Sequence, residues 1–223
     1  MTNTPERNFD KEAPSWDENP VKIKLANDVF HALSEAGILT PEMDILDFGC
    51  GTGLLTIQLR PLVRSITGVD NSQGMLDVFD AKIASRKLDG INTALIDLDE
   101  GHALPGRYDV VLSCMTLHHI KETAALLRQF HEIIAPGGYL AIADLDPDNG
   151  QFHSGNTGIF HFGFSRTVLR EVFTEAGFRD IWDRDATEVA KPGADGQIRR
   201  FSVFLMIGRK KPGSHSATSG SAR

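Results

Sequence analysis

Apolar residues in this chain fall into short continuous runs separated by stretches with apolar positions three and four apart. The runs at 43–48, 65–70, 91–96, 108–114 and 138–144 are of strand length and read as strands buried on both faces. The intervening segments 52–63, 72–87 and 121–134 read as helices; Ser72 is placed to cap the second, and Pro136-Gly137 to stop the third. Ahead of the first strand, Ile23, Leu25, Val29, Phe30 and Leu33 recur near helical spacing over 21–36, and Gly37 ends that segment. Strands alternating with helices predict an α/β fold, a parallel sheet with helices on both faces. After Asp144 the pattern breaks into a loop over 145–164 rich in Asp, Gly, Asn and His. A helix from Ser165 to Ala176 follows, then strands at 180–189 and 199–208 joined by a hairpin connection from Lys191. Residues 209–223, rich in Gly, Ser and Lys, are expected to be a disordered tail, and no internal repeat is present.

In an open parallel sheet, ligands bind beyond the carboxyl ends of the strands. Asp47, Asp70, Asp97 and Ser113 all fall at such ends. Gly49, Gly51 and Gly53 occupy alternate positions in the turn after the first strand. Without side chains they let ligand atoms approach the backbone, and amides at the start of the next helix are expected to favour a carboxylate or other anion. The spacing is not that of a dinucleotide loop, because Leu54 stands where a third glycine is required; no Gly-Lys-Ser/Thr follows, so it is not a triphosphate loop. Asp47 would repel phosphate and suits a ligand ammonium. Asp70, ending the second strand, has the geometry to hold two vicinal hydroxyls.

The series Asp47-x-Gly49-x-Gly51-x-Gly53, followed by Gly68-Val69-Asp70, Asp97-Leu98, Tyr108-Asp109-Val110-Val111-Leu112-Ser113 and Pro136-Gly137-Gly138-Tyr139-Leu140, resembles the class I S-adenosylmethionine-dependent methyltransferases. The motifs come in the family's order over residues 40–145. The resemblance implies a Rossmann-like, seven-stranded, mostly parallel sheet with an antiparallel last strand. It also implies S-adenosyl-L-methionine as cofactor, with Asp70 on the ribose hydroxyls and Asp97 and Leu98 at the adenine; Asp99 and Glu100 are alternatives to Asp97. The expected cofactor-binding set is Asp47, Gly49, Gly51, Gly53, Asp70, Asn71, Asp97, Leu98, Ser113 and Trp16. Trp16 enters because Phe9-Asp10 and Trp16-Asp17 match a segment that folds over the cofactor in related chains; the other reading is an arm merely anchored by two aromatics. The implied organisation is an arm and helix over 1–36, a methyltransferase domain over 37–208 and the tail.

The 223 residues are ordinary in composition, 41% hydrophobic and 24% charged, with a net charge of −7. That balance disfavours an extensive nucleic-acid footprint, which needs clustered Lys and Arg. No signal-peptide pattern and no apolar run of membrane-spanning length is present, so a cytoplasmic location and no membrane partner are expected. Cys50 and Cys114 do not make a disulfide framework. His118, His153 and His161 are the candidate catalytic residues, as base or substrate-positioning groups, since a neutral imidazole suits that task near pH 7; His119 is expected to be structural. No metal is expected, because His-x3-His and Cys-x2-Cys pairs are missing. The functional expectation is methyl transfer to a small-molecule acceptor through an O, N or S nucleophile. The alternative is a non-catalytic S-adenosylmethionine-binding sensor or partner subunit. An Asn-Pro-Pro-Tyr or Asp-Pro-Pro-Tyr motif, the mark of amino-methylating enzymes of nucleic acids and glutamine, is replaced by Ser113-Cys114-Met115-Thr116.

Overall fold

The computed structural model describes residues 8–98, 100–153, 155–192 and 196–213. The chain opens with α1 (Phe9–Glu12), whose first turn Asn8 caps by accepting from the Lys11 N–H, and a 3-10 segment (Ala13–Glu18). Helix α2 (Pro20–Glu35) follows, with Asn19 as its cap and a proline at its first position, where no helical N–H is needed. Then come β1 (Asp44–Phe48), α3 (Leu54–Leu59), β2 (Ser65–Asp70), α4 (Gln73–Arg86), β3 (Ile91–Leu95), β4 (Tyr108–Cys114), α5 (Thr123–Ile133), β5 (Ile134–Leu145), α6 (Arg166–Glu175), β6 (Phe178–Pro192) and β7 (Ile198–Lys210).

All seven strands form one sheet in the order β3-β2-β1-β4-β5-β7-β6. The first five are parallel; β7 runs antiparallel between β5 and β6. The expected mixed sheet with its antiparallel last strand is therefore present. One face packs Val29 and Leu33 of α2 and Leu55 and Leu59 of α3 over Ile45, Ile66 and Val110. The other packs Leu126 and Phe130 of α5 and Leu169 and Phe173 of α6 over Leu46, Val111 and Leu140. Phe79 of α4 closes a third cluster with Cys50, Leu76 and Ile91. The inner strands β1, β4 and β5 are thus covered on both sides, as their lack of alternation requires. In contrast, β3, at the sheet edge, buries only Ile91 and leaves Leu95 exposed, so the run at 91–96 is not buried on both faces.

The differences from the sequence reading have local causes. The segment expected as a helix over 52–63 is a short α3 continued by a 3-10 turn at Arg60–Leu62, because Pro61 has no N–H to donate. Ser72 caps α4 by accepting from the Met75 N–H, but Ser165, at the N-cap position of α6, makes no side-chain cap bond. β7 continues through Arg209 and Lys210, where Lys210 Nζ donates to the carbonyls of His131 and Ile134, so the strand takes in two residues read as tail. The rest of that tail from 214 onward lies outside the described residues, as do Asp99 and part of the β6–β7 connection. Among the described residues no helix is long and apolar enough to cross a membrane.

Candidate active site

A cavity of about 620 Å³ opens at the carboxyl ends of β1, β2 and β4, roofed by the N-terminal segment and by the loop after β5. Its size falls in the range of small-molecule and cofactor pockets. Asp47, Gly49, Gly51, Asp70, Asn71, Asp97, Leu98 and Trp16 line it, as do His118 and His153. Three of the expected site residues, Gly53, Ser113 and His161, do not.

Asp47 is 2% exposed, and the Thr56 hydroxyl donates to it. Burial pushes its carboxyl up to about 7, against the pull of Thr56 and with a push from Asp70. Asp70 is raised as well, again chiefly by burial, although its two oxygens accept the Gly51 N–H at 2.8 Å and the Ser72 N–H at 2.9 Å. Two carboxylates held out of water on one cavity wall form an environment that a cation or a set of hydroxyl donors would relieve.

The three glycines have different roles. Gly49 (φ +74°) lies against Thr116, and Gly53 (φ +77°) lies against the Phe79 ring, 2.2 Å from where a Cβ would stand. Gly51 (φ +54°) would place a Cβ in open space. Gly51 is therefore the glycine whose missing side chain leaves room on the cavity wall. The amides of the turn itself are engaged: Gly49 and Cys50 donate to the Val69 carbonyl, Gly51 to Asp70 and Gly53 to the Cys50 carbonyl. The parallel pairing of β1 with β2 brings the Val69 carbonyl beneath the turn; the amides expected to favour an anion are those at the start of α3, beyond Gly53, where no side chain caps the helix.

Asp97 sits at the cavity and donates its own N–H to His102 Nδ1. Ser113, 2% exposed, does not line the cavity, and its Oγ has no hydrogen-bond partner among the described residues. Burial, with Asp47 and Asp144 adding to it, pushes the Cys114 thiol well up, so it lines the cavity as a neutral group.

Beyond β4 the 3-10 turn Leu117–His119 folds the chain back over β5. His118 is 1% exposed, and its Nδ1 lies 2.7 Å from Oδ1 of the fully buried Asp144. Its ring packs against those of His119 at 4.3 Å and His153 at 5.0 Å. His119 Nδ1 bonds the Gly158 carbonyl, and the Phe9 ring meets it edge-on at 5.3 Å. His161 has a different place. Its Nε2 donates to the Ile120 carbonyl at 3.0 Å, its ring packs on Phe164, and its N–H and that of Phe160 both donate to the His118 carbonyl. His161 thus straps the loop to the 117–120 turn. Among the described residues no group of three or more His, Cys, Asp or Glu is arranged to hold a metal ion.

The N-terminal segment is latched over this site. Asp10 accepts from the Ser72 hydroxyl at 2.6 Å and the Gly74 N–H at 2.8 Å, and these bonds hold its carboxyl below the usual range. Asp17 accepts from Thr52 Oγ1 at 2.6 Å and pairs with Lys82. Between them Phe9 and Trp16 pack at 6.0 Å, with Lys22 Nζ 3.1 Å from the Trp16 ring centre.

The chain matches the model of the methyltransferase domain family over residues 22–182. It is 33% identical over 149 residues to an uncharacterized methyltransferase of Schizosaccharomyces pombe, covering 60% of this chain and 52% of the relative. It is 32% identical over 145 residues to a ubiquinone biosynthesis O-methyltransferase of Azorhizobium caulinodans, covering 61% and 55%. The chain thus spans about half the length of these curated relatives. Among solved structures, the Haemonchus contortus phosphoethanolamine N-methyltransferase 2 in complex with S-adenosyl-L-methionine superimposes with a TM-score of 0.68 at 17% identity, over 92% of this chain and 60% of that one, a likeness of fold. With the family model covering most of its length, and with the sheet order and glycine loop in place, the chain belongs to the methyltransferase domain family.

Proposed function

We propose that the protein transfers a methyl group from S-adenosyl-L-methionine to a small-molecule acceptor. The observation that carries this reading is the pair of buried, raised carboxylates Asp47 and Asp70 beside the open wall at Gly51. Such a wall fits a ligand that brings an ammonium group and vicinal hydroxyls. In this reading Asp47 faces the amino-acid end, Asp70 and Asn71 face the ribose, and Asp97 and Leu98 border the adenine. Trp16 and Phe9 cover the site and exclude water.

The cofactor supplies an activated methyl group when bound. The chain's own residues bind, orient and shield. His118 takes up a proton from the acceptor, and His153 shapes the space beside it. Leu25, Phe152, Phe160, Val189 and Lys191 also line the cavity, a largely apolar set suited to a compact acceptor. His161 acts on this site only through the loop it straps.

The test is calorimetric titration with S-adenosylhomocysteine, which has the same amino-acid and ribose groups. Asp70→Ala is expected to weaken binding at least tenfold, since hydrogen bonds to a charged group contribute about 1.5–3 kcal/mol. Unchanged affinity removes Asp70 from the site. Transfer of labelled methyl groups then separates an enzyme from a cofactor-binding sensor or partner subunit.

A further inference from the structure

The pairing of His118 with Asp144 has a consequence for which acceptors the site serves. Asp144 is fully buried at the end of β5 and accepts three hydrogen bonds: from His118 Nδ1 at 2.7 Å, from the His118 N–H at 3.3 Å and from the Leu145 N–H at 2.8 Å. A carboxylate only accepts, so in a neutral imidazole paired with it the proton belongs on Nδ1 and Nε2 keeps its lone pair. Nε2 has no hydrogen-bond partner among the described residues, while the ring borders the cavity. In this cluster of three imidazoles, His118 is set against a carboxylate, and His119 Nδ1 meets a neutral carbonyl. This is the arrangement by which a buried acid fixes a histidine's tautomer and balances the charge the ring gains with a proton.

A base so prepared matters unequally to different nucleophiles. A tertiary amine or thioether has no proton to lose, and a primary or secondary amine, which does, would bring an ammonium charge to the apolar lining at Phe152, Phe160 and Val189. A thiol ionises near pH 8.5 and is partly a thiolate without help, whereas a phenolic hydroxyl holds its proton until about pH 10. We propose that Asp144 is the positioning residue for His118 and that the acceptor is a small hydroxyl compound with an apolar or aromatic body. In the step, the acceptor O–H bond breaks and its proton passes to His118 Nε2. Its electron pair stays on oxygen to form the bond to the methyl carbon, while the carbon–sulfur pair remains on sulfur. The imidazolium returns its proton to water. The apolar body is what Phe152, Phe160 and Val189 would enclose. This inference rests on the methyl-transfer reading above.

The experiment has two arms, preceded by a titration with S-adenosylhomocysteine. Failure of that compound to bind would sink the methyl-transfer reading itself. In the first arm, long-range proton–nitrogen spectra of histidine-labelled protein with S-adenosylhomocysteine bound report the neutral tautomer of His118. The Nδ1–H form is expected in the native protein and is lost in Asp144→Asn, with affinity for S-adenosylhomocysteine held within threefold. In the second, the enzyme is offered S-adenosylmethionine with phenol, catechol, benzenethiol and N,N-dimethylbenzylamine. Methyl groups are expected on oxygen, with kcat falling about 100-fold in Asp144→Asn and KM changing less than threefold. An Nε2–H tautomer in the native protein overturns the proposal. So does a tautomer indifferent to Asp144→Asn, methylation of the tertiary amine in preference to oxygen, or no methylation of oxygen at all. The native spectrum decides even where Asp144→Asn does not fold.

Discussion

At the residue scale, the alternate glycines separate folding from binding. Gly53 and Gly51 share a left-handed backbone, but only Gly53 abuts a fully buried ring. Gly53→Ala must displace Phe79 as well as bear backbone strain, and is expected to cost about 2–4 kcal/mol. Gly51→Ala bears the strain alone, about 1 kcal/mol, but puts a methyl group where the ligand backbone contact is proposed. Thermal melts should therefore penalise Gly53→Ala more, and calorimetry with S-adenosylhomocysteine should penalise Gly51→Ala by tenfold or more. A Gly51 variant with native affinity would remove that glycine from the site. The motif Asp47-x-Gly49-x-Gly51-x-Gly53 was legible in the sequence, but this division was not. The ring against Gly53 comes from α4, 26 residues on, and the hydroxyl against Gly49 comes from Thr116 beyond β4. The partner of His118 was hidden for the same reason. Asp144 lies far along the chain, and only the parallel register Cys114↔Ala143, followed by the back-folded turn, brings the two together. The Leu-His-His stretch flagged a site; it did not say which acid would orient it.

At the scale of elements, the inner parallel strands were the most legible part, because burial on both faces writes a continuous apolar run into them, which the edge strands β3 and β6 lack. β2 and β4 begin and end where the runs at 65–70 and 108–114 do. The N-terminal segment was the least legible. A four-residue helix and a 3-10 segment are too short to show periodicity, and they are held by side chains of distant elements. Asp10 binds the start of α4, and Asp17 ties Thr52 of the glycine turn to Lys82 of α4. The latch thus joins the arm to both proposed cofactor-binding elements, where ligand binding and arm closure would share contacts. Asp17→Ala removes both of that residue's ties while leaving Phe9 and Trp16 to pack. Stopped-flow displacement of S-adenosylhomocysteine is expected to show an off-rate at least fivefold faster in Asp17→Ala, and faster still when residues 1–18 are deleted. If the off-rate is unaltered and only the melting temperature falls, the arm anchors the surface and is no lid.

At the scale of the whole molecule, the buried carboxylates tie stability to pH in a way that the ligand should reverse. Asp47 titrates near 7 in the folded protein against 3.8 in an unfolded chain, so the folded state holds its proton more tightly. Between those values the unfolded chain has released the proton and the native one has not; stability therefore falls as pH rises from about 4 to 7 and levels off above. Three pH units correspond to roughly 4 kcal/mol, a large share of a typical net stability. Asp70 contributes in the same direction. Asp44, held at about 2 by Arg64 and Ser65, titrates below this window, and His131, lowered by burial and by Lys210, acts in the opposite sense below pH 6.5. The comparison with Asp47→Asn isolates the one group. Without ligand, the variant should melt higher than the native protein at pH 8 and show little advantage at pH 4. An ammonium group seated beside Asp47 would favour its ionised form, so the melting-temperature gain from S-adenosylhomocysteine should grow from pH 5.5 to 8 in the native protein and stay flat in the variant, which binds more weakly. The same substitution would thus stabilise the empty fold and impair the site. A stability difference between the two proteins that does not change with pH would show that Asp47 is not the group carrying the strain.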